Sequence, residues 1–133
     1  MTERFLLDHL SLNVEDFERA KAFYAKALAP LGISLLAEIP AEVSGTVDQA
    51  GFGIGERGFF WLASQGRQAP PVHIAFGAQS RAMVDAFHAA ALAAGGADNG
   101  APGLRPHYSP TYYGAFVLDP EGHNVEAVCR GAN

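Results

Sequence analysis

The sequence predicts an α+β fold built from two copies of a β-α-β-β-β unit. Three observations predict it. Short strands with period-2 alternation open each half, at 8–14 and at 72–76. A capped helical pattern follows each of them. The two stretches also overlay without a gap at a spacing of 64 residues. His9, Ala22, Phe23, Ala25, Ala27, Leu28, Ala29 and Gly32 then meet identical residues, and Asp16 meets Ser80, cap on cap. Alanine richness inflates such a match, but the histidine and the paired caps owe nothing to it. Phe52 meets Phe116 and Gly58 meets Gly122 at the same spacing.

In the first unit Leu10, Leu12 and Val14 share one face of the opening strand, and His9, Ser11 and Asn13 share the other. Asp16 caps a helix carrying Phe17, Ala20, Tyr24 and Leu28, and Ala29-Pro30-Leu31-Gly32 stops it. Further strands are expected at about 33–39, 47–54 and 58–63, with a loop from Ala41 to Asp48. A polar linker with Pro70-Pro71 spans about 64–71. The second unit repeats the order. Val72 to Phe76 is a strand, Ser80 is a cap, and a helix runs from about Arg81 to Ala94, ending at Gly95-Gly96. The expected organisation is therefore one domain over 1–133, with module one at about 5–63 and module two at about 72–130. Gly95 to Tyr113, rich in Gly and Pro, is expected to be irregular, a binding loop or lid.

The composition narrows the partners. Hydrophobic residues make up 49%, enough for a core, and charged residues 17%. A net charge of -5 argues against nucleic acid and against anionic membrane surfaces. No apolar run reaches the length of a membrane span. Met1 to Phe5 lack a signal-peptide layout, and the one cysteine, Cys129, fits a reducing cytoplasm. A cytoplasmic protein acting on a small molecule is the expectation.

One stretch asks for a chemical reason. Asp119-Pro120-Glu121-Gly122 is turn chemistry, and it runs into an apolar strand with Glu126 in its middle. A carboxylate there needs water or a cation, because burial of an unpaired charge is costly. His9 and His73 open equivalent strands, and Glu126 lies on the last strand of the second unit. Strand parity turns all three away from the bulkier apolar faces, which can take the helices. Two imidazoles and a carboxylate make an open facial triad for Fe(II), with Mn(II), Ni(II) or Zn(II) as alternatives. His107 is the candidate general base, since imidazole titrates near neutrality. Tyr112 and Tyr113 are candidate proton carriers, and Asn13, Trp61, Arg105 and Tyr108 candidate substrate contacts. His123, after Gly122, is expected to be exposed in a turn. His88 is expected on a helix surface or at an interface, and Cys129 in the core.

These residues carry a resemblance. Asp8-His9-Leu10-Ser11-Leu12-Asn13-Val14, Val72-His73-Ile74-Ala75-Phe76 and Phe116 through Glu126 resemble the vicinal oxygen chelate superfamily of glyoxalases, bleomycin-resistance proteins and extradiol dioxygenases. The resemblance implies paired βαβββ modules in a cupped mixed sheet with helices on the outer face, usually in homodimers. It also implies a divalent metal at His9, His73 and Glu126, chelated by adjacent oxygens of the substrate. Catalysis would then be dioxygenase-like, or lyase or isomerase chemistry of the glyoxalase kind. A non-catalytic binding protein of the bleomycin-resistance type and a fosfomycin-resistance-like thiol transferase are the alternatives. Two departures matter. The fourth ligand of glyoxalase I falls on Leu62 or, shifted by one, on Trp61, and neither can bind a metal. The dioxygenase tyrosine falls on Phe116, although His107 fits the accompanying histidine. No cationic cluster suits a phosphonate.

Overall fold

The structure, a computed structural model, describes residues 6–133. Met1 to Phe5, on which the expected start of module one and the expectation about a signal peptide fall, lie outside the described residues.

The first module runs β1 (Leu10–Asn13), α1 (Phe17–Ala27), β2 (Ser34–Ile39), α2 (Ala41–Ser44), β3 (Gln49–Ile54) and β4 (Arg57–Ala63). The second runs β5 (His73–Gly77), α3 (Arg81–Ala93), β6 (Ala97–Leu104), β7 (Tyr113–Leu118) and β8 (Asn124–Cys129). Each module forms a four-stranded mixed sheet with the same order, β1-β4-β3-β2 and β5-β8-β7-β6. The first strand pairs in parallel with the last, and the remaining pairs are antiparallel. This is the α+β arrangement of two βαβββ modules.

Local chemistry explains the boundaries. Asp16 accepts from Arg19 N, and Ser80 from Met83 N, so both helix starts are satisfied by the side chains expected to cap them. A 3₁₀ turn over Ala29–Leu31 follows α1 and ends at Gly32 with φ 79°, a left-handed conformation that glycine adopts without strain. The segment expected as a loop at 41–48 holds the short helix α2.

The helices cover one face of the sheets. Leu12, Val14, Phe23, Leu28, Phe52, Phe60 and Leu62 from module one join Phe76, Val84, Phe87, Val117 and Val125 from module two in one continuous core. Phe60 meets Phe76 edge-on at 5.3 Å, and Tyr24 meets Phe60 at 4.9 Å. Each buried large side chain contributes about 1.5–3 kcal/mol relative to exposure.

A second tie joins the modules at the Asp119-Pro120-Glu121-Gly122 turn. The buried Glu121 carboxylate accepts from Glu15 N (3.0 Å) and Asp16 N (2.8 Å), free donors at the start of α1. Tyr24 donates its hydroxyl to Asp119 at 2.5 Å, and Asp119 also accepts from Glu121 N and His123 N. Burial first, and the Asp119 carboxylate second, push the Tyr24 hydroxyl well above its ordinary value.

Three expectations are corrected. The Gly95 to Tyr113 segment is irregular only from 105 to 112, because 97–104 is strand β6, bent by register shifts around Gly100. His123 is fully buried, with Nδ1 accepting from Val72 N at 3.1 Å. The turn it closes folds inward onto the entrance of β5, which local turn chemistry does not reveal. The 64-residue spacing also fails beyond the helices. Ser11 pairs with Trp61 and Ala75 with Glu126, so the last strands correspond at a spacing of 65. Phe52 therefore sits in the core opposite Phe60, whereas Phe116 lies beside Glu126 on the other face. Gly58 belongs to β4, while Gly122 is a turn residue with φ 91°. His88 is mostly covered on α3 and pairs with Asp98 at 2.9 Å, and Cys129 is in the core.

Candidate metal centre

Glu126 sits on β8, an inner strand, and is only 1% exposed. Its Oε1 lies 2.8 Å from His73 Nε2 on the neighbouring edge strand β5. Its Oε2 accepts a hydrogen bond from the Tyr112 hydroxyl. Gly114 makes room for this contact, because a Cβ there would lie 3.2 Å from both Glu126 Oε2 and the Tyr112 ring. Burial, then the hydrogen bond to Glu126, pushes the Tyr112 hydroxyl up to about 12, so it remains a donor at neutral pH. Arg130 lies over its ring at 5.0 Å.

The aromatic surroundings continue outward. Tyr108 meets Tyr112 at 4.9 Å, and His107 meets Tyr108 at 4.2 Å. His107 is exposed in the 105–112 turn, separated from Glu126 by these two tyrosine rings. Phe116 lies across from Glu126, with its ring 6.1 Å from that of His73. Arg105 donates to the Gly103 and Ala101 carbonyls and lies over Phe116 at 5.4 Å.

His9 belongs to the other module. Its imidazole is half-exposed, with Nδ1 2.8 Å from Asp8 Oδ1. Through that contact His9 holds the Asp8 carboxyl below its ordinary value. A carboxylate at Nδ1 orients the ring and leaves Nε2 as the nitrogen without a protein partner in this contact, the usual arrangement behind a metal-bound histidine. Ser11, Asn13 and Trp61 share its face, and a cavity of about 210 Å³ is lined by His9, Ser11, Gln49, Trp61, Leu62 and Ala63.

Of the residues singled out from sequence, His73, Glu126 and Tyr112 thus come together. His9 does not join them within one chain: among the described residues no group of three or more His, Cys, Asp or Glu could hold a metal ion. Tyr113 is directed elsewhere. It donates to Asp85 on α3 at 2.6 Å and lies under Arg81, on the helix face of the sheet, so it cannot serve a site built around Glu126. Asp8, Gln49 and Gly114 escaped sequence reasoning. Asp8 had one available signal, a carboxylate immediately before a candidate ligand histidine.

The family model of the Glyoxalase/Bleomycin resistance protein/Dioxygenase superfamily matches residues 6–127. The chain belongs to this superfamily. Among solved structures, a glyoxalase/bleomycin resistance protein from Albidiferax ferrireducens T118 is 28% identical with TM-score 0.75, covering 96% of this chain and 100% of that one. Lactoylglutathione lyase from Agrobacterium tumefaciens shares the fold at 18% identity and TM-score 0.66, over 96% of each chain. Glyoxalase I from Zea mays shares it at 24% identity and TM-score 0.69, over 93% of this chain and 46% of the maize chain. No curated protein matches. The superfamily includes lyases and dioxygenases, and its members typically use a divalent metal and are often dimeric. The donors present suit such an ion in part. A buried carboxylate and a half-exposed imidazole stand side by side, and a second imidazole lies just ahead of the equivalent strand of the other sheet.

Proposed function

We propose that the protein is a divalent-metal enzyme acting on a small oxygenated substrate, and that each site draws on two copies of the chain. His73 and Glu126 of one copy and His9 of the other would hold the metal, with Fe(II), Mn(II), Ni(II) or Zn(II) as the candidates. When bound, the metal supplies Lewis acidity to the substrate's adjacent oxygens. The observation that carries the reading is the 2.8 Å contact between His73 Nε2 and the buried Glu126 Oε1. A carboxylate that deep needs a cation or a full set of donors, and His73 is exposed enough to admit one.

The chain's own groups divide the remaining work. Tyr112 keeps a proton on its hydroxyl and holds Glu126 Oε2, which orients the carboxylate. Asp8 orients His9 in the same way. Trp61 and Ser11 would border the substrate, with Asn13 on the same strand face. His107, exposed in the 105–112 turn beyond Tyr108 and Tyr112, would move protons only at the outer edge of the site. The chemistry is lyase, isomerase or dioxygenase in type, and the expected compartment is the cytoplasm, in keeping with the absence among the described residues of a helix long and apolar enough to cross a membrane.

Calorimetric titration of metal-free protein with Mn(II), Ni(II) and Zn(II) tests this, with Fe(II) added anaerobically. Saturable binding of at least one ion, lost in His73→Ala, is the expected result. No binding of any of the four overturns it. A second reading is a binding protein of the bleomycin-resistance type, favoured by the Trp61 indole in the cavity wall, which needs no metal. That reading expects ligand affinity unaltered by Glu126→Ala.

A further inference from the structure

The first module places Trp61 where the second places Glu126, each opposite the corresponding residue of the parallel edge strand, Ser11 and Ala75. The indole does not hang free. It lies across Gly51, its direct partner on β3, and reaches Gly58. A Cβ on Gly51 would come within 2.7 Å of the six-membered ring, and one on Gly58 within 3.5 Å. The sheet has thus given up side chains beneath the ring, and the indole is seated on backbone. Its remaining surface borders the cavity of about 210 Å³. An apolar cavity of about 150 Å³ accepts benzene, so one substituted ring has room here. Around the indole stand short polar groups, the Ser11 hydroxyl and the Gln49 amide, together with the His9 imidazole.

Charge narrows the ligand further. Arg105 is committed to two backbone carbonyls and to Phe116. Arg57 donates to the Asp8 carbonyl at 2.9 Å and lies near the Phe59 ring. The chain carries a net charge of -5. Arg57, which lines the neighbouring cavity with His9, lies 3.6 Å from the Asp8 carboxylate, so an anion on this face would meet a cation that is already paired.

We propose that this face of the first module is a stacking platform that selects flat, aromatic, uncharged ligands, with Trp61 as its floor and Ser11 and Gln49 reading the polar edge. It narrows the substrate class of the site proposed above, and rests on that reading only in placing the ligand's oxygens toward His9.

The chain has one tryptophan, so its fluorescence reports this position alone. The probes are catechol and trans-1,2-cyclohexanediol, matched in size and in adjacent hydroxyls but differing in flatness, titrated with EDTA present. Catechol should quench Trp61 saturably and bind about tenfold more tightly by calorimetry, the scale of one aromatic stack. Trp61→Leu should reduce the preference to about twofold or less, and Trp61→Phe should keep about half of it or more. Circular dichroism shows that each variant is folded. Equal affinity for the two diols, or a preference that survives in folded Trp61→Leu, overturns the proposal. Tighter binding of 3,4-dihydroxybenzoate than of catechol overturns its uncharged part. Because EDTA is present, a platform that works in a protein binding no metal would sink the enzyme reading and leave this one standing. Metal binding without a catechol preference would do the reverse.

Discussion

The two modules share a chain path and differ in where they put bulk. In the second, β8 carries Glu126 and the strand beside it carries Phe116. In the first, the same pair of positions holds Trp61 and Gly51. The aromatic ring has moved from one strand to its neighbour, and the carboxylate has gone with the exchange. One module therefore sets an imidazole against a buried carboxylate, His73 with Glu126. The other offers a single histidine over an aromatic floor. Duplicated architecture does not imply duplicated chemistry, because one cross-strand pair decides what a sheet face can do.

The sharpest way to break this comparison is to remove each residue of the exchanged pair. Glu126→Ala should weaken metal binding by about 100-fold or more, since even outer-shell partners cost about 10–100-fold. Trp61→Ala should change it by about threefold at most. Competition against a chromogenic chelator measures both, and comparable losses would erase the distinction.

The turns preceding β4 and β8 differ as well. Glu121 holds the backbone leading into α1 of the other module, whereas Glu56, in the turn before β4, is exposed. Glu121→Ala should lower stability by about 2 kcal/mol through lost charge-assisted bonds to a helix start. Glu56→Ala should stay within about 0.5 kcal/mol. Urea denaturation compares the two, and equal effects would mean that the turn does not hold the modules together.

Tyr112→Phe comes next. Glu126 loses its donor on Oε2, and metal affinity should fall by about tenfold while the fold persists. An unchanged affinity would show that His73 alone orients the carboxylate.

The smallest expected effect is that of Tyr24→Phe, about 1 kcal/mol. Its pH dependence is the informative part. The folded-state value of Tyr24 is raised, so its contribution is complete below the unfolded value of about 10 and is lost only as pH climbs through the raised one. The difference from wild type should be flat from pH 6 to 9 and narrow at higher pH. A slope within that neutral window would contradict a neutral, donating Tyr24.

Much of this was legible in the sequence for physical reasons. Caps have short side chains just before a helical pattern, so Asp16 and Ser80 could be read directly. Strand parity put His9, His73 and Glu126 on one kind of face, because a strand has only two. What escaped depends on register and on folding back. One additional residue ahead of β7 shifts the correspondence from 64 to 65, and in a strand a one-residue shift changes the face. Hence Leu62 and Trp61 could not be told apart until β1 was seen paired with β4. His123 looked like an exposed turn residue because turn chemistry is local, whereas its partner Val72 is 51 residues away. Tyr112 and Tyr113 looked alike in sequence, yet one reaches Glu126 and the other Asp85 on α3. The strand in 97–104 was hidden by glycines and a proline that weaken the strand signal.

In the proposed site, His9 completes the metal centre with His73 and Glu126 of another copy. Metal content after mixing two inactive variants tests it most directly. His9→Ala and His73→Ala should each bind no metal alone. Mixed in equal amounts and allowed to exchange subunits, half of the dimers pair one of each, and each such dimer has one whole site. Recovery of about one quarter of wild-type metal is expected. A mixture that binds no more than its components would contradict it.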